Sequence, residues 1–351
     1  MAIPRLYLDH AATTPLLPAA RAAMAEGLER WANPSSPHAE GRAARAALED
    51  ARARIARALG ATGTILFTSG ATEALEIALR RGRGERSLVS AVEHDAVRRA
   101  APAAGRLPVS ADGIVQPGPL KAGTLVAIQA VNNETGVIQP LGELGVVVRE
   151  AGGLLLADCA QSAGKMPLPD ADFIGISAHK LGGPPGIGAL IVRDLTTLEP
   201  SGGQEQGYRG GTENLPAVLG FAVAAEADAA WLDRARILRA RLDAAIRENG
   251  GAIVADGAER LPTIASYRMP GVAATGQLIR FDLAGIAVSA GSACSSGSLK
   301  PSHVLAAMGW SEGDAREVIR VSFGRDTNEA DIDRFISEWR AIAESARARA
   351  A

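Results

Sequence analysis

Cysteine is scarce in this sequence, since its 351 residues contain only Cys159 and Cys294. Two isolated thiols cannot form a disulfide framework, and a cysteine-based metal site would need its ligands in a cluster. Isolated thiols suit the reducing conditions of the cytosol. The sequence therefore predicts a cytoplasmic protein with no metal site.

Long apolar runs and an excess of one charge are also missing. No stretch reaches about 18 consecutive apolar residues without a charge, so we expect no membrane span. Residues 1–15 contain no basic region followed by an apolar run, so we expect no signal peptide. Lys and Arg number 37 and Asp and Glu number 39. The net charge of −2 gives no global positive field for binding nucleic acid or an anionic membrane.

Short apolar runs alternate with helical segments over the first 200 residues. Strands are expected at 64–68, 87–92, 124–131, 153–158, 172–177 and 188–192, and helical periodicity is strong at 18–30, 39–59, 214–248 and 329–348. This alternation is typical of an α/β domain with a mostly parallel sheet. Beyond Asn249-Gly250-Gly251, a plausible helix stop, the pattern predicts a smaller α+β domain at about 250–351, joined by the N-terminal residues.

The segment 177–190 places a lysine between two predicted strands. Lys180 precedes Gly182-Gly183-Pro184-Pro185, a stiff turn that lets the backbone approach a bound group. A lone lysine in a turn is more often a surface residue. This one, however, follows the carboxyl end of a strand, where α/β sheets bind ligands. Such restraint suits a lysine that forms a Schiff base.

Asp158 ends the preceding predicted strand, 22 residues (180 − 158) before Lys180. A buried carboxylate at this position is costly unless it meets a positive partner. The protonated pyridine nitrogen of a cofactor is one such partner. Gln161 follows three residues later and can reach the same side. The competing interpretation is that Asp158 caps the next helix.

Polar residues also follow other strands. A helix begins near Thr72, after Ser69-Gly70, and its free amides together with the Thr72 hydroxyl form an anion site. His94 follows a second strand, and the polar run 132–134 follows a third. Each signal is common by itself, because helix N-termini often carry threonine and a single histidine is usually structural. Together they indicate one shared cleft.

The two cysteines lie in contrasting surroundings. Cys294 lies among small residues without apolar periodicity, which predicts an exposed, mobile loop suited to a nucleophile. Cys159 follows Asp158 directly at a strand end and is expected to be buried. The sequence therefore favours Cys294 as the reactive thiol.

Taken together, these segments resemble the cysteine desulfurases of the NifS/IscS type, within the class-V branch of fold-type I pyridoxal-phosphate enzymes. The similarity runs from YLDHAATTP (7–15) to RVSFGRDTNEADID (320–333). Eight segments between these two also match the family: NPSSPHAEGR (33–42), FTSGATEA (67–74), VEHDAV (92–97), NNETGVIQP (132–140), DCAQSAGK (158–165), SAHKLGGPPGIGAL (177–190), RGGTENLP (209–216) and SAGSACSSGSLKPSHVL (289–305). Order and spacing agree throughout, although Gln206 and Gly210 replace the arginine and serine usual in the family.

The resemblance implies an α/β fold of the fold-type I class. It implies a large domain at 13–248, with a mostly parallel seven-stranded sheet between helices. A small α+β domain would consist of 1–12 and 249–351 and would carry the Cys294 loop. The family also implies a homodimer with shared active sites.

The resemblance further implies that the chain binds pyridoxal 5'-phosphate. Lys180 would hold it as a Schiff base, Asp158 would pair with its pyridine nitrogen, and Gln161 would bond its phenolic oxygen. His94 would stack on the ring and move protons. The phosphate would be bound by Ala71, Thr72, Ser177, His179 and, from the neighbouring subunit, Thr212.

The implied substrate is L-cysteine. Asn133 and Arg320 would bind its carboxylate, with Asn33 nearby. Cys294 would take its sulfur as a persulfide, leaving L-alanine, and would pass the sulfur to an acceptor or scaffold protein for iron–sulfur cluster assembly or thiolation.

Two other functions stay open. One is a selenocysteine lyase or another class-V enzyme, such as a kynureninase-like hydrolase or an aminotransferase, whose chemistry needs no loop cysteine. The other is a non-catalytic sulfur-relay or scaffold-binding protein, which would have lost a functional residue. Lys180, Asp158, His94 and Cys294 are all present, which favours the desulfurase.

Overall fold

The computed structural model describes residues 5–291 and 302–350. Within these ranges the strands are β1 (Leu6–Tyr7), β2 (Thr64–Thr68), β3 (Arg86–Ser90), β4 (Gly105–Leu107), β5 (Thr124–Gln129), β6 (Leu154–Asp158), β7 (Phe173–Ser177), β8 (Gly188–Val192), β9 (Ala252–Ile253), β10 (Ile264–Arg268), β11 (Ile286–Ala287) and β12 (Val318–Ser322). The helices are α1 (Pro18–Glu29), α2 (Ala39–Leu59), α3 (Ala71–Arg81), α4 (Asp95–Ala100), α5 (Leu141–Glu150), α6 (Leu215–Ala225), α7 (Trp231–Glu248), α8 (Ala274–Leu283), α9 (His303–Ala307), α10 (Glu312–Ala315) and α11 (Glu329–Ala350). Short 3₁₀ helices lie at Ala178–Lys180, Leu195–Thr197 and Glu205–Gly207.

Seven strands form the central sheet, in the order β2-β8-β7-β6-β5-β3-β4. Strand β8 runs antiparallel to β2 and β7, and the remaining neighbours are parallel. Every residue of β5, β7 and β8 is buried, as expected for apolar strands of a sheet that is covered on both faces. The predicted α/β fold with a mostly parallel seven-stranded sheet is confirmed.

The carboxyl ends of β5, β6 and β7 meet at one edge of this sheet. Gln129 at the end of β5 pairs with Asp158 at the end of β6, and Asp158 pairs with Gly175. Ser177 ends β7 two residues later. Strand β2 also ends here, and α3 begins directly after it. The strand register thus brings four chain segments to one place, which is where α/β sheets bind ligands.

Two smaller sheets lie outside the central one. Strands β12, β10 and β9 form an antiparallel sheet, and β1 pairs in parallel with β11. Their core is partly aromatic: the rings of Phe281 and Phe335 stack at 4.7 Å, and Trp339 lies 6.1 Å from Phe335. The β1–β11 pairing joins the N-terminal residues to the chain beyond residue 250. The division into a large and a small domain stays a prediction.

Some predicted elements differ from those in the structure. The helical stretch at 214–248 is divided between α6 and α7, because a turn follows Glu226 in which the Asp228 side chain accepts a hydrogen bond from Ala230 N. In the stretch 286–291, β11 covers only Ile286–Ala287, and Ser289 forms an isolated bridge with Arg320. The short β4 was not predicted from the sequence. In the part of the chain that the structure describes, no helix is long and apolar enough to cross a membrane.

Candidate active site

A cavity of about 510 Å³ opens at the edge where the strands end. Nine of the side chains and amides predicted from the sequence line it: Ala71, Thr72, His94, Asn133, Asp158, Gln161, Ser177, His179 and Lys180. They come from five separate stretches of sequence, brought together by the parallel register of the sheet. Cys294 lies outside the described residues.

Lys180 ends the 3₁₀ helix that follows β7. Its Nζ donates hydrogen bonds to the carbonyls of Ala11, at 2.5 Å, and Ala12, at 2.8 Å. The turn beyond it needs glycine, because a Cβ at Gly183 would lie 2.8 Å from the Cβ of Ala178. The amine is therefore directed into the cavity against the N-terminal segment.

Asp158 is buried at the end of β6, and its Oδ1 accepts a hydrogen bond from Ala160 N at 2.9 Å. Burial raises the pKa of Asp158, while that hydrogen bond and the nearby His94 and Lys180 oppose the rise. A carboxylate in this environment is stabilised further by any cation placed in the cavity. A protonated pyridine nitrogen fits that requirement.

Gln161 lies beside Asp158 and is also buried. Its Nε2 donates to the carbonyl of Ala11 at 2.8 Å, so this one carbonyl binds both Gln161 and Lys180. Gln161 Oε1 is buried and has no hydrogen-bond partner among the described residues. A buried amide oxygen without a partner is unfavourable, so this wall of the cavity is suited to a further polar group.

His94 caps α4 with its side chain. Its Nδ1 accepts a hydrogen bond from Ala96 N at 3.1 Å, which leaves Nε2 to carry the proton of the neutral ring. Burial lowers the pKa of His94; Asp158 opposes this shift and Lys180 adds to it. The capping bond fixes the ring in the cavity wall with one proton at a known atom.

The first turn of α3 forms the opposite end of the cavity. The free amides at Ala71 and Thr72 give this end a positive partial charge, which favours an anion. Ser177 and His179 line the same cavity, and His179 Nδ1 lies 3.1 Å from Thr13 Oγ1. Burial and Lys180 lower the pKa of His179 to about 4, so the ring is neutral near pH 7. These groups are the donor set expected for a phosphate.

Two predicted residues are exposed and do not line the cavity. Asn33 Oδ1 accepts a hydrogen bond from Ser35 N at 2.8 Å. Thr212 lies on a loop that is tied to the rest of the chain, since Arg209 binds Glu73 Oε1 at 3.0 Å and Glu205 binds Arg52 at 2.7 Å. A fixed, outward-facing Thr212 is the geometry that a role in a neighbouring subunit requires, and that role stays a prediction.

Arg320, predicted to bind substrate, is buried behind the cavity wall. Its guanidinium donates to the Asn133 carbonyl at 3.0 Å and to Asp9 Oδ1 at 2.6 Å, and its Nε has no hydrogen-bond partner in the described residues. Asn133 and Asp9 both line the cavity. Arg320 therefore supports the wall that a substrate carboxylate would approach.

Sequence reasoning assigned no role to four polar residues that line the cavity: Asp9, Ser69, Gln129 and Ser289. Asp9 lies inside the matched segment 7–15, so its motif was visible although its pairing with Arg320 was not. A role for Gln129 could have been predicted, because polar residues at the carboxyl ends of strands tend to line ligand sites. Ser289 begins the matched segment 289–305, so its motif was visible, but its approach to the cavity depends on its pairing with Arg320 of β12.

The described chain on either side of residues 292–301 is anchored at the cavity. Ser289 lines it before this segment. After it, Ser302 Oγ donates to Glu134 Oε2 at 2.5 Å, and His303 Nε2 lies 2.9 Å from the Glu93 carbonyl. Glu134 and Glu93 are the sequence neighbours of Asn133 and His94, which line the cavity. The described residues on both sides of 292–301 therefore lie at or beside the cavity.

Cys159 is fully buried, as predicted, and burial raises the pKa of its thiol to about 12. The reactive form of cysteine is the thiolate, so a thiol with this pKa is inert near pH 7.

Glu93 is a buried carboxyl whose Oε1 accepts hydrogen bonds from Ser90 Oγ at 2.6 Å and Gln129 N at 2.8 Å. Burial raises its pKa to about 8, so folding favours its protonated form. The unfolded chain releases this proton above the ordinary value of 4.5, and stability is therefore lost as pH rises from there towards 8. At pH 7 the loss is about 3 kcal/mol.

Glu93→Gln should remove this loss, because the amide keeps an oxygen that accepts both bonds and carries no charge. We expect the variant to be more stable than the parent at about pH 8 and similar to it at about pH 5, measured by urea unfolding. Glu29→Gln, at an exposed position, is the matched control. Equal pH dependence in Glu93→Gln and the parent would contradict the prediction.

Comparisons with known proteins agree with this geometry. The family model for class-V aminotransferases matches residues 6–335. The chain is 37% identical to an IscS-like cysteine desulfurase of Mycobacterium tuberculosis, over 93% of each protein. A solved NifS-like protein from Rickettsia africae superposes with a TM-score of 0.88 at 31% identity, covering 97% of this chain and 99% of that one. A structure described as SspA in complex with cysteine gives a TM-score of 0.78 at 31% identity, covering 91% of this chain and 98% of that one.

The match of the family model over most of the chain agrees with the identity to named desulfurases and with the superposition on NifS-like structures. The chain belongs to the class-V aminotransferase family, among the cysteine desulfurases of the NifS/IscS type.

Proposed function

We propose that the protein is a pyridoxal-phosphate-dependent cysteine desulfurase, which converts L-cysteine to L-alanine and takes the sulfur on Cys294. The observation that carries the proposal is the content of one cavity: the Lys180 amine, the buried Asp158 carboxylate and the amino end of α3 all face it. This set matches the aldehyde, pyridine nitrogen and phosphate of the cofactor. Support also comes from the relatives, which are named cysteine desulfurases.

Each part of the cavity would hold one part of the cofactor. Lys180 would bind it covalently, Asp158 would pair with the ring nitrogen, and the amides of Ala71 and Thr72 would bind the phosphate with Ser177 and His179. When bound, the cofactor supplies an electron sink that makes the α-proton of an amino acid acidic. Binding of the substrate and transfer of protons and sulfur would be carried out by the side chains of the protein.

Lys180 and His94 would handle the protons. The Lys180 amine would act as the base that removes the proton from Cα of the substrate. The neutral His94 ring carries its proton on Nε2, because Nδ1 accepts the capping hydrogen bond from Ala96 N. It is therefore able to donate that proton and, afterwards, to accept one.

Asn133 would bind the substrate carboxylate, and Arg320 would support it from behind through the Asn133 carbonyl. The Cys294 thiolate would attack the substrate sulfur, so that a sulfur–sulfur bond forms and the bond from Cβ to sulfur breaks. The electron pair of the broken bond stays on the carbon side and is protonated. The balanced outcome is a persulfide on Cys294 and one L-alanine for each L-cysteine.

The finer assignments are a homodimer with shared sites, in which Thr212 reaches the partner's phosphate, and delivery of sulfur to an acceptor or scaffold protein. The exposed position of Thr212 on a tied loop supports the first. Delivery of sulfur is supported by the position of Ser289 and Ser302, which flank the segment that contains Cys294 and lie at or beside the cavity.

The test is a spectrum of the purified, cofactor-loaded protein with and without L-cysteine, followed by quantification of alanine. The desulfurase should absorb in the aldimine band, release alanine from L-cysteine, and gain the mass of one sulfur atom on the peptide that contains Cys294. A panel of selenocysteine, kynurenine, and alanine with a keto acid separates the other class-V activities. Faster turnover of any of these than of L-cysteine would contradict the proposal.

Asp158→Asn should slow alanine formation on the order of 10²-fold, because an amide does not hold a proton on the pyridine nitrogen. The Oδ1 that accepts from Ala160 N is kept, so we expect the fold to be unchanged. Steady-state rates and the cofactor spectrum measure the effect. Parent-like rates in Asp158→Asn would show that Asp158 does not act on the ring.

A further inference from the structure

A second lysine lies beside the cofactor lysine. Lys165 follows the turn after β6, and its Nζ donates a hydrogen bond to the Gln161 carbonyl at 3.0 Å. Lys165 and Lys180 border the same small void, together with Trp231 and Arg325. The side chain of Gln161 in turn shares the Ala11 carbonyl with Lys180. Lys165 therefore contacts Gln161 of the site but does not itself line the large cavity.

The composition makes this lysine unusual. The chain has 37 basic residues of the Lys and Arg types, and only four are lysines: Lys121, Lys165, Lys180 and Lys300. Arginine is thus the ordinary cation of this protein, yet two of its four lysines border one void. A lysine ammonium is a compact charge whose protonation responds to its surroundings, whereas arginine stays charged. Both lysines that border this void therefore carry a group whose charge responds to its surroundings.

The charges around Lys165 are mostly of its own sign. No ion pair joins it to a carboxylate in residues 5–291 and 302–350. Burial, and to a smaller extent the charges of Lys180 and Arg325, lower the pKa of Lys165 to about 7. The titratable groups that act on it or line the adjoining clefts are His10, Arg54, Arg57, Lys180, Glu226 and Arg325. Glu226 is bound to Arg54 at 2.7 Å, so it does not neutralise Lys165.

We propose that Lys165 is a positioning residue that acts on Lys180 by charge: its ammonium, held against the Gln161 carbonyl, disfavours protonation of the nitrogen of Lys180. The inference rests on the proposed function, because the nitrogen concerned is the one that bonds the cofactor. Repulsion between two amines is mutual, so the pair releases its first proton at lower pH than an isolated lysine. An unprotonated Lys180 nitrogen is the form needed for a base.

The competing explanation is structural, since Lys165 also satisfies a carbonyl in the turn at 159–166. The two explanations differ in what they require of the side chain. A structural role needs a hydrogen-bond donor, whereas the proposed role needs a positive charge. Lys165→Gln keeps a donor without charge, Lys165→Arg keeps the charge, and Lys165→Met keeps neither.

The experiment is a pH titration of the cofactor absorbance in the loaded protein at low salt. Neutral variants should raise the midpoint for the nitrogen at Lys180 by about one pH unit, because a cation nearby no longer opposes its protonation. We expect this shift in both Lys165→Gln and Lys165→Met. Lys165→Arg should stay at or below the parent midpoint, and the exposed Lys121→Met should match the parent.

A midpoint unchanged in both neutral variants would overturn the inference. So would a parent-like midpoint in Lys165→Gln with a shift in Lys165→Met, since that result identifies the donor and not the charge. If Lys165→Met folds poorly, Lys165→Gln carries the same expectation. A parent protein that binds the cofactor with no bond to Lys180 would instead refute the proposed function, and the absorbance of the parent separates the two failures.

Discussion

Lys180→Ala is expected to abolish the covalent attachment of the cofactor and to lower desulfurase activity on the order of 10³-fold or more. The amine has two tasks in the proposed mechanism, which are to bind the cofactor and to remove the α-proton. Alanine performs neither. Loss of the amine also removes the hydrogen bonds that Nζ donates to the carbonyls of Ala11 and Ala12, although Gln161 Nε2 still donates to Ala11.

The measurement is the mass of the protein after borohydride reduction, together with the rate of alanine formation. The parent should gain the reduced cofactor on the peptide that contains Lys180, and the variant should gain none. Lys121→Ala, at an exposed position far along the chain, is the matched control. Covalent cofactor in Lys180→Ala would show that another lysine is the attachment point.

Cys294→Ser is expected to bind the cofactor normally and to form no persulfide, which eliminates sulfur transfer. The hydroxyl of serine is nearly the size of the thiol but is a far weaker nucleophile towards sulfur at neutral pH. Residue 294 follows Ser289, which lines the cavity, by five positions, and a chain spans at most about 3.6 Å per residue. Five residues therefore place residue 294 no more than about 18 Å from Ser289.

Cys159→Ser is the matched control, since Cys159 is the other cysteine of the chain. Its buried thiol, with a pKa of about 12, has no role in the mechanism, so activity should remain near that of the parent. Mass spectrometry of peptides after reaction with L-cysteine measures both variants. Sulfur found on Cys159, or full activity in Cys294→Ser, would remove Cys294 from the mechanism.

Much of the site could be predicted because its residues follow strand ends. Asp158, Ser177 and the start of α3 each come directly after an apolar run, and parallel strands bring such positions to one edge. The periodicity of apolar residues was enough to place those strands within a few residues. The split between α6 and α7 was missed because the residues between them continue an alanine-rich helical pattern.

Contacts between distant segments could not be predicted in the same way. The ion pair of Arg320 with Asp9 joins residues that are 311 positions apart, and no local pattern records it. The same applies to Lys165. Its local sequence indicates only a lysine in a turn, whereas its pKa is lowered by burial, Lys180 and Arg325. Such features depend on which elements pack together, and the sequence shows only that each element exists.

The pairing of β1 with β11 and of Asp9 with Arg320 has a consequence for biosynthesis. Ala11 and Ala12, whose carbonyls receive the Lys180 amine, are made first, but the strands that hold their segment in place, β11 and β12, are among the last to leave the ribosome. A nascent chain that ends before residue 318 lacks the support for this wall. If the proposed function holds, we expect capture of the cofactor to follow completion of the chain, and products that end before residue 318 to be colourless.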